Sequence, residues 1–310
     1  QHGTAGDEVS CTRRAAGGVA SQTEREAAAS LLRLGNIAYF SLDIARMLYA
    51  GLRALNAAER AGPCSELARN YASWVSVGGR VPLLGLARRY SDLALRVADD
   101  IDEPYATAQV FLFLSIRCAD VGDWRAGIDR AEQAIDLSRK VGDSRQAEEC
   151  MVVGAFLYLH SGAPQSALQY FEAAAAEGRR RGDKQTTGWG LLGVARVHLA
   201  QGRAHEALDA LRHAEPYVAD RLSGIEQHGL AALAHLCRDE FEDSLRAARS
   251  GLDLVLQARP VSFSTLTGTA AIAETLITHL RIARRGGLAG DARLLGMQAR
   301  QALRALRGFA

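Results

Sequence analysis

The chain has 310 residues, 48% of them apolar but only 6% aromatic, with six prolines and a formal net charge of +2. The apolar share is ample for a buried core, and few prolines and aromatics beside many alanines favour helices over strands. The near-neutral charge excludes a general attraction to nucleic acid or anionic lipid, and no apolar run reaches the ~18 residues of a membrane-spanning helix.

Residues 1–22 begin at Gln1 and are rich in glycine, alanine and serine; they are expected to form a disordered or linker edge of a longer protein, with one helical repeat domain over 23–310. In chain order, 29–40 and 45–62 read as a first helix pair, and 70–78 with 85–100 as a second. Three glycine-led stretches follow: VGDWRAGIDRAEQAIDL (121–137), SGAPQSALQYFEAAAAE (161–177) and QGRAHEALDALRHAEPY (201–217). Their glycines, Gly122, Gly162 and Gly202, are spaced by 40 residues, as are Gly142 and Gly182, each of which precedes an aspartate. A fourth copy, RDEFEDSLRAARSGLDL (238–254), comes after a step of 37 with Asp239 in the glycine's place. The segments 263–285 and 291–309 form a last pair around Gly286, Gly287 and Gly290.

A period near 40 with a turn glycine is the signature of stacked helix hairpins, each helix A turning tightly into a helix B. The expected fold is therefore all-α, a right-handed α-solenoid of about six hairpins. Ala167 and Ala207, with Ala134, Ala174 and Ala214, occupy the small positions where helices cross closely. Trp124, Phe171, Leu211 and Phe241 are expected to fill the spaces between hairpins.

Leu31, Leu34 and Gly35, with the Leu/Tyr/Ala periodicity of these pairs, resemble the tetratricopeptide (TPR) pattern stretched to about 40 residues. The AERAG…ELARNYASW segment (58–74) and the recurring Gly-Asp resemble the C-terminal arrays of bacterial cyclase–STAND ATPase–TPR signalling proteins, to which maltose-regulator-like activators are related in architecture. The resemblance implies an array that senses a partner or inducer and restrains an ATPase. The cyclase and ATPase motifs are absent from these residues.

Enzyme-like signals are few. Asp99, Asp100 and Glu103 fit the DDxx(D/E) layout with which terpene synthases hold magnesium. In the repeat register, however, they fall in an interhelix loop, where carboxylates cap the next helix. His228 and His235 lie two turns apart near Cys237, but His235 shares its register with Cys118, Tyr158 and His198, a packing position. No HExxH, Walker A or GxSxG motif occurs, and no cofactor or metal is expected. The string GGLAG (286–290) reads as an interhelix loop. No helix-turn-helix DNA reader is visible. The arginines of the C-terminal piece (Arg293, Arg300, Arg304, Arg307) fall at helical spacings and read as an exposed face. The five scattered cysteines, with no CxxC pair, suit a reducing cytoplasm.

The function expected is a non-catalytic interaction or ligand-sensing scaffold for a protein or peptide partner, or for other domains of a parent protein. A helical enzyme of terpene-synthase type is the alternative. In TPR-like arrays the A helices line the binding groove, and stepping through the register places Arg69, Gln109, Glu149, Trp189 and Glu226 at one position. Arg196 lies seven residues beyond Trp189, with Phe156 at the same step one repeat earlier. Arg69, Glu149, Trp189 and Arg196 are the expected anchors, because Trp and Arg dominate binding hot spots.

Overall fold

The computed structural model describes residues 5–78, 84–257 and 265–309. Residues 1–4 and the first two of the expected segment 263–285 lie outside the described residues. Fourteen α-helices follow one another among those described, with no strand. They are α1 (Ala5–Phe40), α2 (Ile44–Ala61), α3 (Ser65–Gly78), α4 (Leu84–Ile101), α5 (Pro104–Val121), α6 (Trp124–Lys140) and α7 (Ser144–His160). Then come α8 (Pro164–Arg181), α9 (Lys184–Ala200), α10 (Ala204–Ala214), α11 (Arg221–Cys237), α12 (Phe241–Gln257), α13 (Leu266–Arg285) and α14 (Ala289–Leu306). Odd-numbered helices are the A helices of the repeat and even-numbered ones the B helices. Seven A–B pairs result, one more than expected from the sequence. Every segment pair of the register forms its helices: four B helices led by Gly122, Gly162, Gly202 and Asp239, two pairs before and one after. Helix α1 takes in the stretch before residue 23 from Ala5 onward.

The repeat rests on its connectors. Positive φ recurs at Leu42, Gly62, Asp102, Gly122, Gly142, Gly162, Gly182 and Gly202, always at multiples of 20 residues, and again at Asp239 and Gly287. Ten of the described helices thus end at a residue of positive φ, which glycine adopts at no steric cost. The residue after it turns its N–H back to the last helical turn, as Asp143 does to Ser138 (2.9 Å), Asp183 to Gly178 (2.8 Å) and Glu240 to His235 (3.0 Å). In Gly-Asp connectors the aspartate then caps the next helix: Asp183 accepts from the Thr186 N–H at 3.0 Å and Asp123 from that of Ala126 at 3.3 Å. One glycine closes a helix and one aspartate opens the next, so two residues suffice to reverse the chain.

The step of 37 has a local cause. Helix α10 has 11 residues where the other B helices have 17 or 18, because Pro216 follows in a 3₁₀ turn, Glu215–Tyr217, and Asp220 caps α11.

The chain divides into two compact units, Gln1–Val121 with Asp136–Asp143, and Gly122–Ile135 with Ser144–Ala310. In the first, Leu55, Leu67, Val75, Val97, Val110 and Leu114 form the core with Tyr71, Trp74 and Tyr90 around it. In the second, Phe171 packs with Ala155, Ala167 and Val197, and Leu192, Leu211 and Leu230 form a neighbouring cluster. Ala134, Ala167, Ala174, Ala207 and Ala214 are all fully buried. Phe171 and Leu211 are buried as expected, whereas Phe241 is 43% exposed. It stands at the first position of α12 and meets His279 edge-on at 6.0 Å between ring centroids.

Glycines inside the A helices add a closeness that the alanines do not supply. A Cβ on Gly190 would meet the Ala175 backbone N at 2.6 Å, one on Gly268 the Glu226 Cα at 2.7 Å, and one on Gly193 would enter the Phe171 ring. Gly229 likewise faces the Gly268 backbone. Glycine lowers helix propensity by about 1 kcal/mol, and here it is tolerated for backbone contact.

Candidate functional site

At one register position of successive A helices stand Arg69, Gln109, Glu149 and Trp189. Each is half-buried between two buried neighbours in sequence.

In the first unit, the Arg69 guanidinium lies 5.0 Å over the Tyr105 ring, and its Nε is buried with no hydrogen bond among the described residues. Gln109 occupies the matching place on α5.

In the second unit the sequence-predicted residues join two internal ladders. The first begins at Glu149, which accepts from Arg145 Nε at 3.2 Å. The same guanidinium donates to Gln185 Oε1 at 2.7 Å, pairs with Asp183 and lies 5.6 Å over the Trp189 ring. Asp183 caps α9 and also accepts from Arg181 at 3.1 Å. Burial raises its pKa, but the Thr186 N–H and the charges of Arg145 and Arg181 outweigh that and hold the carboxyl below its usual range. Arg181 pairs in turn with Glu148, whose side chain is 1% exposed. Arg145 and Gln185 were not among the expected site residues. The signal for them was the i, i+4 spacing to Glu149 and Trp189, which puts each pair on one helix face.

The second ladder uses Arg196 and Glu226. Arg196 Nε donates to Glu226 Oε1 at 2.9 Å, and its guanidinium lies 5.4 Å over the Phe156 ring. The two charged side chains are only 12% and 4% exposed. Glu226 Oε2 accepts from the Gly268 N–H at 2.8 Å. Gly268 is in the first turn of α13, where backbone N–H groups lack intrahelical partners, so Glu226 serves as a cap supplied from another helix. Both oxygens of Glu226 are engaged within the protein.

The ladders leave Glu149, Trp189, Arg145 and Gln185 as the half-open part of the second unit's strip. An indole face with acceptors and donors at helical intervals suits a polypeptide, whose side chains and backbone offer matching apolar and polar groups. It suits bond-breaking chemistry poorly, because the carboxylates are held by guanidinium groups.

The remaining motifs do not assemble into a centre. Asp99 and Asp100 are exposed at the end of α4, Asp102 is the left-handed residue and Glu103 is exposed before α5. His235 Nδ1 lies 2.6 Å from Glu240 Oε2, while His228 is half-buried and burial lowers its pKa. Among the described residues no three His, Cys, Asp or Glu side chains are placed to hold a metal ion. Gly286 and Gly287 form the connector between α13 and α14, and Arg293, Arg300, Arg304 and Arg307 are exposed. Cys64, Cys118, Cys150 and Cys237 form no disulfide among the described residues, and no described helix is long and apolar enough to cross a membrane.

A scan against protein-family models and a search of curated proteins give no match to this sequence. Solved structures do match. A Rap protein in complex with Competence and Sporulation Factor has a TM-score of 0.65 at 12% identity, over 89% of this chain and 74% of that one. A STAND signal-transduction ATPase with a tetratricopeptide repeat sensor, from Pyrococcus horikoshii, has a TM-score of 0.57 at 15% identity, over 91% of this chain but 44% of that one. The apo form of the quorum sensor NprR from B. thuringiensis has a TM-score of 0.54 at 12% identity, over 90% and 76%. At such identities the likeness establishes the fold, and the fold of this chain is that of a tetratricopeptide-like array of helix pairs.

Proposed function

We propose that this chain is a non-catalytic sensing or interaction module that takes a protein or peptide partner on the faces of its A helices. The observation that carries the reading is the recurrence of a half-open side chain between two buried neighbours at one register position, as Arg69, Gln109, Glu149 and Trp189. A regular series of half-open polar and aromatic side chains suits recognition of a polypeptide. The similar structures support it: one holds a named factor, one is called a quorum sensor, and one carries a repeat sensor. The last supports a finer proposal, that this array is the regulatory part of a larger bacterial ATPase- or cyclase-type signalling protein. Four cysteines outside any disulfide among the described residues support a reducing, cytoplasmic setting. Arg196 and Glu226 act in this reading by fixing the strip, and Glu149 and Trp189 by touching the partner.

The test is affinity capture with the intact chain, identification of the bound partner and its titration by calorimetry. Trp189→Ala should weaken binding by about 2 kcal/mol while the helical circular-dichroism signal persists. Unchanged affinity in the folded variant would move the binding surface off the A helices. Magnesium-dependent turnover of an allylic diphosphate, lost when Asp99, Asp100 and Glu103 are replaced by their amides, would revive the enzyme reading.

A further inference from the structure

Helix α14 carries exposed side chains at two places where four earlier B helices bury theirs. In α2, α6, α8 and α12, the residue thirteen places after the left-handed residue that opens the helix is Leu55, Ile135, Ala175 or Leu252, and all are buried. Three places on stand Ala58, Ser138, Gly178 and Val255, again buried. In α8 this is the side on which the following A helix lies: Ala175 closes on Gly190 of α9, and Gly178 on Thr186 and Thr187. Helix α10 has already ended at Ala214 before this position, and the connector before α4 lies outside the described residues. In α14 the same two places, counted from Gly287, are Arg300, which is exposed, and Leu303, which is 41% exposed.

Arg300 has company. At ~100° per residue, Arg293, Arg300, Arg304 and Arg307 fall within about 60° of arc along about 21 Å of helix. All four are exposed and none forms an ion pair among the described residues. Asp291 is the single acid between 281 and 310, and by the same angular measure it points well away from this line. Met297, 47% exposed, flanks the arginines on one side and Leu303 on the other.

We propose that this face of α14 is a docking surface for an acidic helical segment of a partner protein. The repeat geometry already shapes the place for a helix, since a helix occupies it at α8. Arginine in place of leucine changes what that helix must carry. Guanidinium forks match carboxylates, and an unpaired row of them repels a basic or purely apolar neighbour. Leu303 and Met297 favour protein over a phosphate backbone, because arginine and methionine together mark protein interfaces, whereas nucleic acid rewards charge alone.

The probe is a labelled amphipathic peptide with glutamates at i, i+4, i+7 and i+11 and leucines beside them, titrated into the intact chain by fluorescence anisotropy. Binding is expected at low salt, weakening as salt is raised and falling tenfold or more in Arg300→Glu/Arg304→Glu. The lysine-for-glutamate peptide should not bind. If that variant loses its helical signal, Arg293→Glu/Arg307→Glu serves instead, with the same expected loss. The proposal is overturned if the acidic peptide fails to bind or binds wild type and folded variant alike. It is equally overturned if a 20-base-pair DNA duplex or phosphatidylserine vesicles bind more tightly through the same arginines.

Discussion

The main-chain N–H of Gly268, in the first turn of α13, donates to Oε2 of Glu226 on α11 at 2.8 Å. The other carboxylate oxygen takes Arg196 of α9, so one buried acid ties three successive A helices together. Replacing it by alanine strands a largely buried guanidinium and a helix-end N–H at once. Glu226→Ala should therefore cost about 3 kcal/mol of stability, and Glu226→Gln, which retains one acceptor, less. The double variant Arg196→Ala/Glu226→Ala should lose clearly less than the sum of the two single losses. Urea unfolding followed by circular dichroism checks this; strictly additive losses would show that the pair is not coupled.

Close approach of A helices to the preceding B helices gives a second prediction. A methyl group on Gly193 enters the Phe171 ring, and Ala167 sits fully buried beside the same ring. Gly193→Ala and Ala167→Leu should each lower stability by about 1–3 kcal/mol through overpacking, the first despite the higher helix propensity of alanine than glycine. Adding Phe171→Leu should recover part of the Gly193→Ala loss. An unchanged or higher melting temperature in either single variant would place these helices farther apart than described.

Acid should destabilise the second unit through His279. The side chain is 7% exposed, its Nε2 lies 3.3 Å from Ser244 Oγ, and that hydroxyl donates to the Ala232 carbonyl, so the ring N–H is the donor to Ser244. Burial first, and the charge of Arg249 second, lower its pKa. The unfolded chain then holds more protons than the folded one below the ordinary histidine pKa of about 6.5, and stability falls as pH drops from there through the lowered folded value. Half-buried His228 and His198, also lowered by burial first, act in the same direction. Thermal melts between pH 7.5 and 5.5 should show a falling midpoint, less steep in His279→Gln. A midpoint that rises on acidification would reverse the sign argued here.

The helix pairs were legible because their connectors demand particular residues. A residue of positive φ after ten of the described helices admits glycine readily, so Gly122, Gly162 and Gly202 print the period into the sequence, with Asp239 in the same role after a shorter step. The outward arginines of α14 followed from helical spacing alone. What stayed hidden depended on partners distant in sequence. Glu226 and Trp189 share a register position, yet Arg196 and Gly268 enclose the first and leave the second half-open. The glycines of GWGLLG (188–193) were a visible oddity inside a helix, and they marked the backbone contacts that the alanine pattern alone did not.

The central claim is that the partner meets the A-helix strip, and site-specific crosslinking tests it most directly. Benzoylphenylalanine placed at Trp189 should form an adduct with the partner on irradiation, whereas the same group at exposed Glu172 on the B helix α8 should not. Adducts from position 172 with none from 189, in chains whose helical signal is intact, would contradict the account.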